Sequence, residues 1–152
     1  QLQDALDQTR QSAIKKNKKS WISLHKPFPG IIQRLNELEQ ENIQWSVLTT
    51  KASGFTAELL NSFNLRPHSI FGHEYGSKAE VLSKLLNDWL ILGFIEDRRA
   101  TLEVLLKTPR LASIPYYLAS WGYLKKQDTE SLPAGIHLLD KKTLVTPLAS
   151  WP

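Results

Sequence analysis

The chain has no cysteine, which excludes disulfides, thiol nucleophiles and cysteine-ligated zinc. It also has no methionine, not even at position 1, so we expect the sequence to be part of a longer protein. No apolar run approaches the roughly 20 residues needed to span a membrane, and no signal peptide is visible. The expectation is a cytoplasmic protein with no membrane partner. The basic cluster Lys15, Lys16, Lys18 and Lys19 carries no interleaved aromatics, so nucleic acid is not the expected partner. His25, His68, His73 and His137 are scattered without metal-ligand spacing, and none is given a role.

What is present describes one soluble, globular domain's worth of chain. The 152 residues are 41% hydrophobic and 22% charged, with a net charge of +4, and such a length can bury a core of its own. Leu92-Gly93-Phe94-Ile95-Glu96-Asp97-Arg98-Arg99 organises the rest. Uncharged, mostly apolar residues run into two adjacent carboxylates, and a helical pattern then begins at Arg98. A buried parallel strand reads this way when it delivers acids to its carboxyl end, where open α/β sheets place their sites. Paired oxygens there suit a hard cation such as Mg²⁺, which takes one or two carboxylates plus water and phosphate. Acids opening a helix are also stabilising without any function.

Taken in order, Gln1 to about Lys19 is expected to be a very polar helix with a thin stripe of Leu2, Leu6 and Ile14, only weakly packed. Trp21-Ile22-Ser23-Leu24-His25 and the stiff Pro27-Phe28-Pro29-Gly30 connector follow, and a boundary is drawn there. Ile31, Ile32, Leu35 and Leu38 predict a helix that stops at Asn42. A strand over 45–49 ends in Thr49-Thr50-Lys51, a helix spans about 54–63, and Ser69 to Gly72 is a minimal strand. Gly76-Ser77-Lys78 opens a third helix, with Val81, Leu82, Leu85 and Leu86 on one face. The 92–96 strand, a helix over about 98–107, a strand over 115–119, and a tail strand and helix over 136–148 complete the pattern. Strands alternating with short helices imply βαβ units and a parallel sheet.

Thr49, Lys78 and Glu96-Asp97 thus fall at strand or helix ends expected on one side of such a sheet. A hydroxyl, an ammonium and a metal-binding acid are what phosphoryl transfer uses to hold and neutralise the transferring group. A strand-terminal Thr and an exposed first-turn lysine would serve equally well as plain structure. Lys78 nevertheless calls for a reason, because a first-turn cation opposes the helix dipole.

In this order the residues resemble motifs II, III and IV of the haloacid dehalogenase superfamily, from Phe28 to about Tyr123. Pro29-Gly30 is similar to that family's entry from cap to core, and Val47-Leu48-Thr49-Thr50-Lys51 to its strand ending in Thr. Gly76-Ser77-Lys78-Ala79-Glu80-Val81-Leu82 resembles the lysine motif. Phe94-Ile95-Glu96-Asp97 resembles the Glu-Asp version of the β-phosphoglucomutase-like branch, and Trp121-Gly122-Tyr123 a frequent late loop. The resemblance implies a Rossmann-like three-layer α/β/α core with a mainly parallel sheet. It implies a Mg²⁺-dependent phosphatase or phosphohydrolase that acts on a small phosphorylated substrate through an aspartyl-phosphate. Thr49 and Thr50 would bind phosphoryl oxygens and Lys78 would stabilise the aspartyl-phosphate. Asp97 would be the metal ligand, with Glu96 in or beside the metal shell.

The sequence departs from that pattern at three places. Thr101 stands where many members carry a further acid, Ala79 where a proline usually follows the lysine, and no Asp-x-Asp occurs anywhere. Asp4 and Asp7 lie three apart in a polar helix and cannot replace the nucleophile motif. The first, central strand would be missing with it, leaving its neighbours with unpaired edges. We therefore expect the C-terminal part of a longer enzyme, inactive alone, with residues 1–26 as the end of a helical cap and linker and 27–152 as a partial core. Trp21, His25, Phe28, Trp121 and Tyr123 could border the site, and packing is the preferred reading for them. A catalytically dead binding module on the same scaffold is the alternative. A receiver-like domain ranks last, since it needs an early acidic pair.

Overall fold

The computed structural model describes residues 2–152, so the expectation for Gln1 falls outside the described residues. The chain forms two compact units, residues 1–77 and 78–152, and each is taken by itself. Among the described residues, hydrogen bonding groups the strands as a parallel β1–β2 pair in the first unit and a parallel β3–β4–β5 sheet in the second. The α/β class and the parallel pairing agree with the sequence reading.

In the first unit, α1 (Leu2–Ser23) is two helical pieces broken at Asn17, whose φ of −160° and ψ of 89° are extended. The Asn17 side chain accepts from the Ser20 amide at 3.0 Å, which caps the second piece as an N-terminal Asn does. The helix therefore runs past Lys19, where the sequence suggested an end. It carries Trp21 into the core at 7% exposure. The Trp21 ring lies 4.7 Å from that of His25 and 6.4 Å from that of Phe55, so the packing of α1 comes from beyond Lys19, while Leu2 and Leu6 in the polar stretch before it are exposed. Phe55 belongs to α3 (Ser53–Ser62).

The helix α2 (Ile31–Gln40) buries Arg34, at 3% exposure, rather than its apolar stripe. Ile31, Ile32, Leu35 and Leu38 are only half-buried. Arg34 is held by Glu41, with Nη2 to Oε2 at 3.3 Å, and lies 3.9 Å from Glu37. Two chain reversals follow one rule. Asn42 and Asn64 both adopt a φ of 55°, the left-handed conformation that asparagine tolerates. Behind them the Ile43 amide returns to the Leu38 carbonyl and that of Leu65 to Leu60, each at 2.9 Å. This is the αL helix end with its apolar residue following. The chain then enters β1 (Ser46–Leu48) and β2 (Ser69–Phe71), in register Val47↔Ile70.

The second unit is built from α4 (Lys78–Leu85), β3 (Phe94–Glu96), α5 (Arg99–Leu106), β4 (Tyr116–Ala119), α6 (Lys126–Thr129), β5 (Ile136–Leu139) and α7 (Lys141–Leu144). β4 lies between β3 and β5, and all four of its residues are buried, as a central parallel strand covered on both faces requires. Leu102 and Leu105 of α5 and Val81 and Leu82 of α4 are buried as expected. The short α6 was not anticipated. Its start is fixed by the Asp128 carboxylate, which accepts from the Lys125 amide at 2.8 Å.

Tyr116 is fully buried, and its hydroxyl donates to the Leu111 carbonyl at 2.8 Å. Burial pushes that hydroxyl up to about 12, against about 10 in an unfolded chain. The neutral form is thus favoured by folding. Its contribution is complete below pH 10 and is lost as pH rises towards 12, a difference of about 3 kcal/mol. Tyr116→Phe should flatten this alkaline loss, at a cost near neutrality of about 1 kcal/mol for the missing hydrogen bond. Urea unfolding midpoints measured from pH 8 to 12 test both parts.

Candidate functional site

Thr49 follows β1 in the first unit, half-buried, and Thr50 beside it is exposed. The Thr49 amide extends the ladder to the Phe71 carbonyl at 2.9 Å, and its Oγ1 accepts from the Lys51 amide at 3.1 Å. The loop that follows is tied to the turn after β2. The His73 amide donates to the Lys51 carbonyl at 3.1 Å, and Glu74 Oε1 accepts from the Ser53 amide at 2.9 Å. Desolvation, the largest single influence on the Glu74 carboxyl, raises it, but the hydrogen bonds from Ser53 and its own backbone together with His73 outweigh that and hold it below its ordinary range. A negative group there suits the first turn of α3.

Gly72 makes this crossing possible. A Cβ at that position would meet the Ser53 amide nitrogen, the Glu74 carboxylate and, at 2.7 Å, the Lys51 carbonyl oxygen. Two of the three are backbone, so Gly72→Ala has to move the Thr49–Ser53 loop. We expect a loss of about 1–3 kcal/mol, typical of overpacking, with the Thr49 and Lys51 amide signals displaced in an NMR spectrum.

In the second unit the sequence-predicted residues Lys78, Glu96 and Asp97 gather at one place. Lys78 opens α4 and Glu96 ends β3, 18 residues later, and the Lys78 ammonium is paired with Glu96 Oε2. The same ammonium lies 5.8 Å from the Phe94 ring centroid, within cation–π range. This pairing supplies the reason that the first-turn lysine called for. Glu96 Oε1 accepts from the amides of Asp97 at 3.2 Å and Arg98 at 3.3 Å. The Glu96 side chain is 7% exposed. Burial, helped by the hydrogen-bonded and negatively charged Asp97, raises its carboxyl above the ordinary range against the opposing pull of Lys78.

Glu96 is thereby committed within the protein, whereas Asp97 is exposed. An exposed carboxylate next to a buried, lysine-paired one fits a Mg²⁺ ion that keeps several waters. Among the described residues, no group of three or more acids and histidines could hold a metal by itself. Asp97 and Glu96 are two neighbouring carboxylates, short of such a group.

Two features of this place were not read from the sequence as site features. Gly122, in the loop after β4, lies so close that a Cβ there would be 2.5 Å from Asp97 Cβ and 3.3 Å from the Ala119 carbonyl. Arg99, on the first turn of α5, is ringed by acceptors. It is a second cation opposing a helix dipole, the signal that singled out Lys78. The aromatics divide. Trp21 is packed, while Phe28 is 42% and Tyr123 96% exposed, so these two do not serve the core as read.

No curated protein and no solved structure matches the chain. Among the described residues, no helix is long and apolar enough to cross a membrane. The family model described as haloacid dehalogenase-like hydrolase matches residues 1–86, a stretch that takes in Thr49, Thr50 and Lys78 and stops before Glu96. With more than half of its length matched, this chain belongs to the haloacid dehalogenase-like hydrolase family.

Proposed function

We propose that this chain provides the phosphate- and metal-binding side of a Mg²⁺-dependent phosphohydrolase that acts on a small phosphorylated substrate. The observation that supports it best is the pairing of Lys78 with the buried Glu96, with exposed Asp97 beside it. On this reading Thr49 and Thr50 donate hydroxyl hydrogens to phosphoryl oxygens. Lys78 has a charged ammonium fixed by Glu96, so it can neutralise an acyl-phosphate without reorganising first. Asp97 would hold Mg²⁺, with Glu96 beside it and not in direct contact with the ion, and the ion when bound neutralises phosphoryl charge. Residues 1–26 act as the end of a cap and 27–152 as a partial core, in a cytoplasmic protein.

The aspartate nucleophile of such chemistry would attack phosphorus and break the P–O bond to the substrate's alcohol, which leaves with a proton, and water would then cleave the acyl-phosphate to inorganic phosphate and free aspartate. No Asp-x-Asp occurs in these residues, so we assign the nucleophile to a segment beyond them and expect this chain alone to be inactive. The same fact favours a second reading, a catalytically dead binding module on this scaffold. The test is hydrolysis of p-nitrophenyl phosphate with Mg²⁺, by this chain and by the longest protein that the source gene encodes. Activity in the longer protein alone, abolished by Asp97→Ala, supports the enzyme. Activity in neither supports the binding module. Activity in this chain alone would mean that the nucleophile is misassigned.

A further inference from the structure

The Arg99 guanidinium, on the first turn of α5, makes more hydrogen bonds than its place on the surface requires. Nη1 donates to the carbonyls of Glu130 at 2.6 Å and Gln127 at 3.3 Å, and Nη2 to that of Ser131 at 3.1 Å. Nε donates to Glu103 Oε1 at 2.7 Å, an i,i+4 pair that orients the planar fork. Those three carbonyls lie at the far end of the loop that begins after β4. The near end of the same loop is Gly122, pressed on Asp97. Between them the loop is stiffened by Leu124 N to Gly122 O at 2.9 Å and Lys125 N to Asp128 Oδ2 at 2.8 Å. Asp97 and Arg99 are two residues apart on the β3–α5 turn. The loop is therefore docked at both ends on the turn that carries the metal-side acid.

We propose that Arg99 is a positioning residue for Asp97: it clamps the far end of the 120–131 loop so that Gly122 holds the Asp97 side chain in place. The clamp stands on geometry within this unit. Its bearing on catalysis rests on the function proposed above. Guanidinium geometry matters here, because three carbonyls are spanned by one rigid fork. Lysine offers a point charge that cannot reach all three. The Arg99 nitrogens are engaged by Glu103 and the loop carbonyls, so its effect passes through the loop.

The test compares this chain with its Arg99→Met and Arg99→Lys variants. Amide hydrogen exchange at Gly122 and Leu124 and the NMR signals of Asp97 are read first without metal, then during titration with Mn²⁺. We expect Arg99→Met to speed exchange at Leu124 about tenfold or more by local opening, to shift the Asp97 signals, and to weaken Mn²⁺ broadening at Asp97. Arg99→Lys should recover only part of each. Arg99→Lys also carries the test if Arg99→Met does not fold. Changes confined to residues 126–131, with Gly122, Leu124 and Asp97 unmoved, would overturn the proposal and leave Arg99 as a cap for α6. If Gly122 and Asp97 respond but Mn²⁺ broadens nothing near Asp97 in the unaltered chain, the clamp stands and the metal role of Asp97 fails.

Discussion

Lys78→Met should lower the stability of the chain by about 3 kcal/mol or more, although it replaces a half-exposed surface cation with an apolar residue of similar length. A lone lysine at a helix N-terminus would lose nothing comparable, and such a charge even opposes the dipole. The difference lies in Glu96. Its carboxylate is 7% exposed and receives the ammonium on one oxygen and two backbone amides on the other. Without the ammonium, a site that already disfavours negative charge keeps the carboxylate without its main compensation. Losing one partner of a buried pair typically costs about 3–5 kcal/mol. The 23% exposure of the Lys78 side chain places the loss at the lower end. The double variant Lys78→Met/Glu96→Gln should recover a large part of it, because a neutral amide needs no ammonium. Urea unfolding of the four proteins yields the coupling directly, within the range of about 0.5–3 kcal/mol seen for contacting residues. If Lys78→Met loses no more than Lys107→Met, the pair is no structural tie.

Leu118→Ala should cost about 3–5 kcal/mol, the upper part of the range for buried leucine truncation. Leu118 is fully buried in β4 and registered between Glu96 of β3 and Leu138 of β5. Hydrogen bonds on both sides keep the strand from moving into the space left by the missing methyls, and α5 lies against it. The cost of a cavity rises where the surroundings cannot collapse. The void would also open beside Glu96, so the variant should disturb the Lys78–Glu96 pair through packing alone. A thermal unfolding series comparing Leu118→Ala with Val104→Ala, a truncation at an exposed face of α5, sets a buried truncation against an exposed one. Near-equal melting temperatures would show that β4 is not the rigid centre described here.

Much of the fold was legible because the signals that set it are local. The apolar run into Glu96-Asp97, the stripe of Val81 and Leu82, and Asn42 as a stop each act within one turn or one strand. The structure accordingly has β3, α4 and a left-handed Asn42 at those places. The α1 piece beyond Asn17 and the short α6 were not legible. One depends on a cap inside a polar run and the other spans four residues, too few for any periodicity to register.

The sequence by itself determined the α/β class, the parallel strands, and which polar residues stand at the element ends, since hydrophobic period and strand-end chemistry are properties of neighbours in the chain. Only the tertiary structure decided what each of those residues faces. Lys78 finds Glu96 across 18 residues, Gly122 leaves just enough room for Asp97, Arg99 reaches carbonyls about 30 residues ahead, and Arg34 takes the buried position on α2 that an apolar stripe seemed to claim. These outcomes depend on where distant strand and helix ends cross, and side-chain partners at such crossings carry no signature in local spacing.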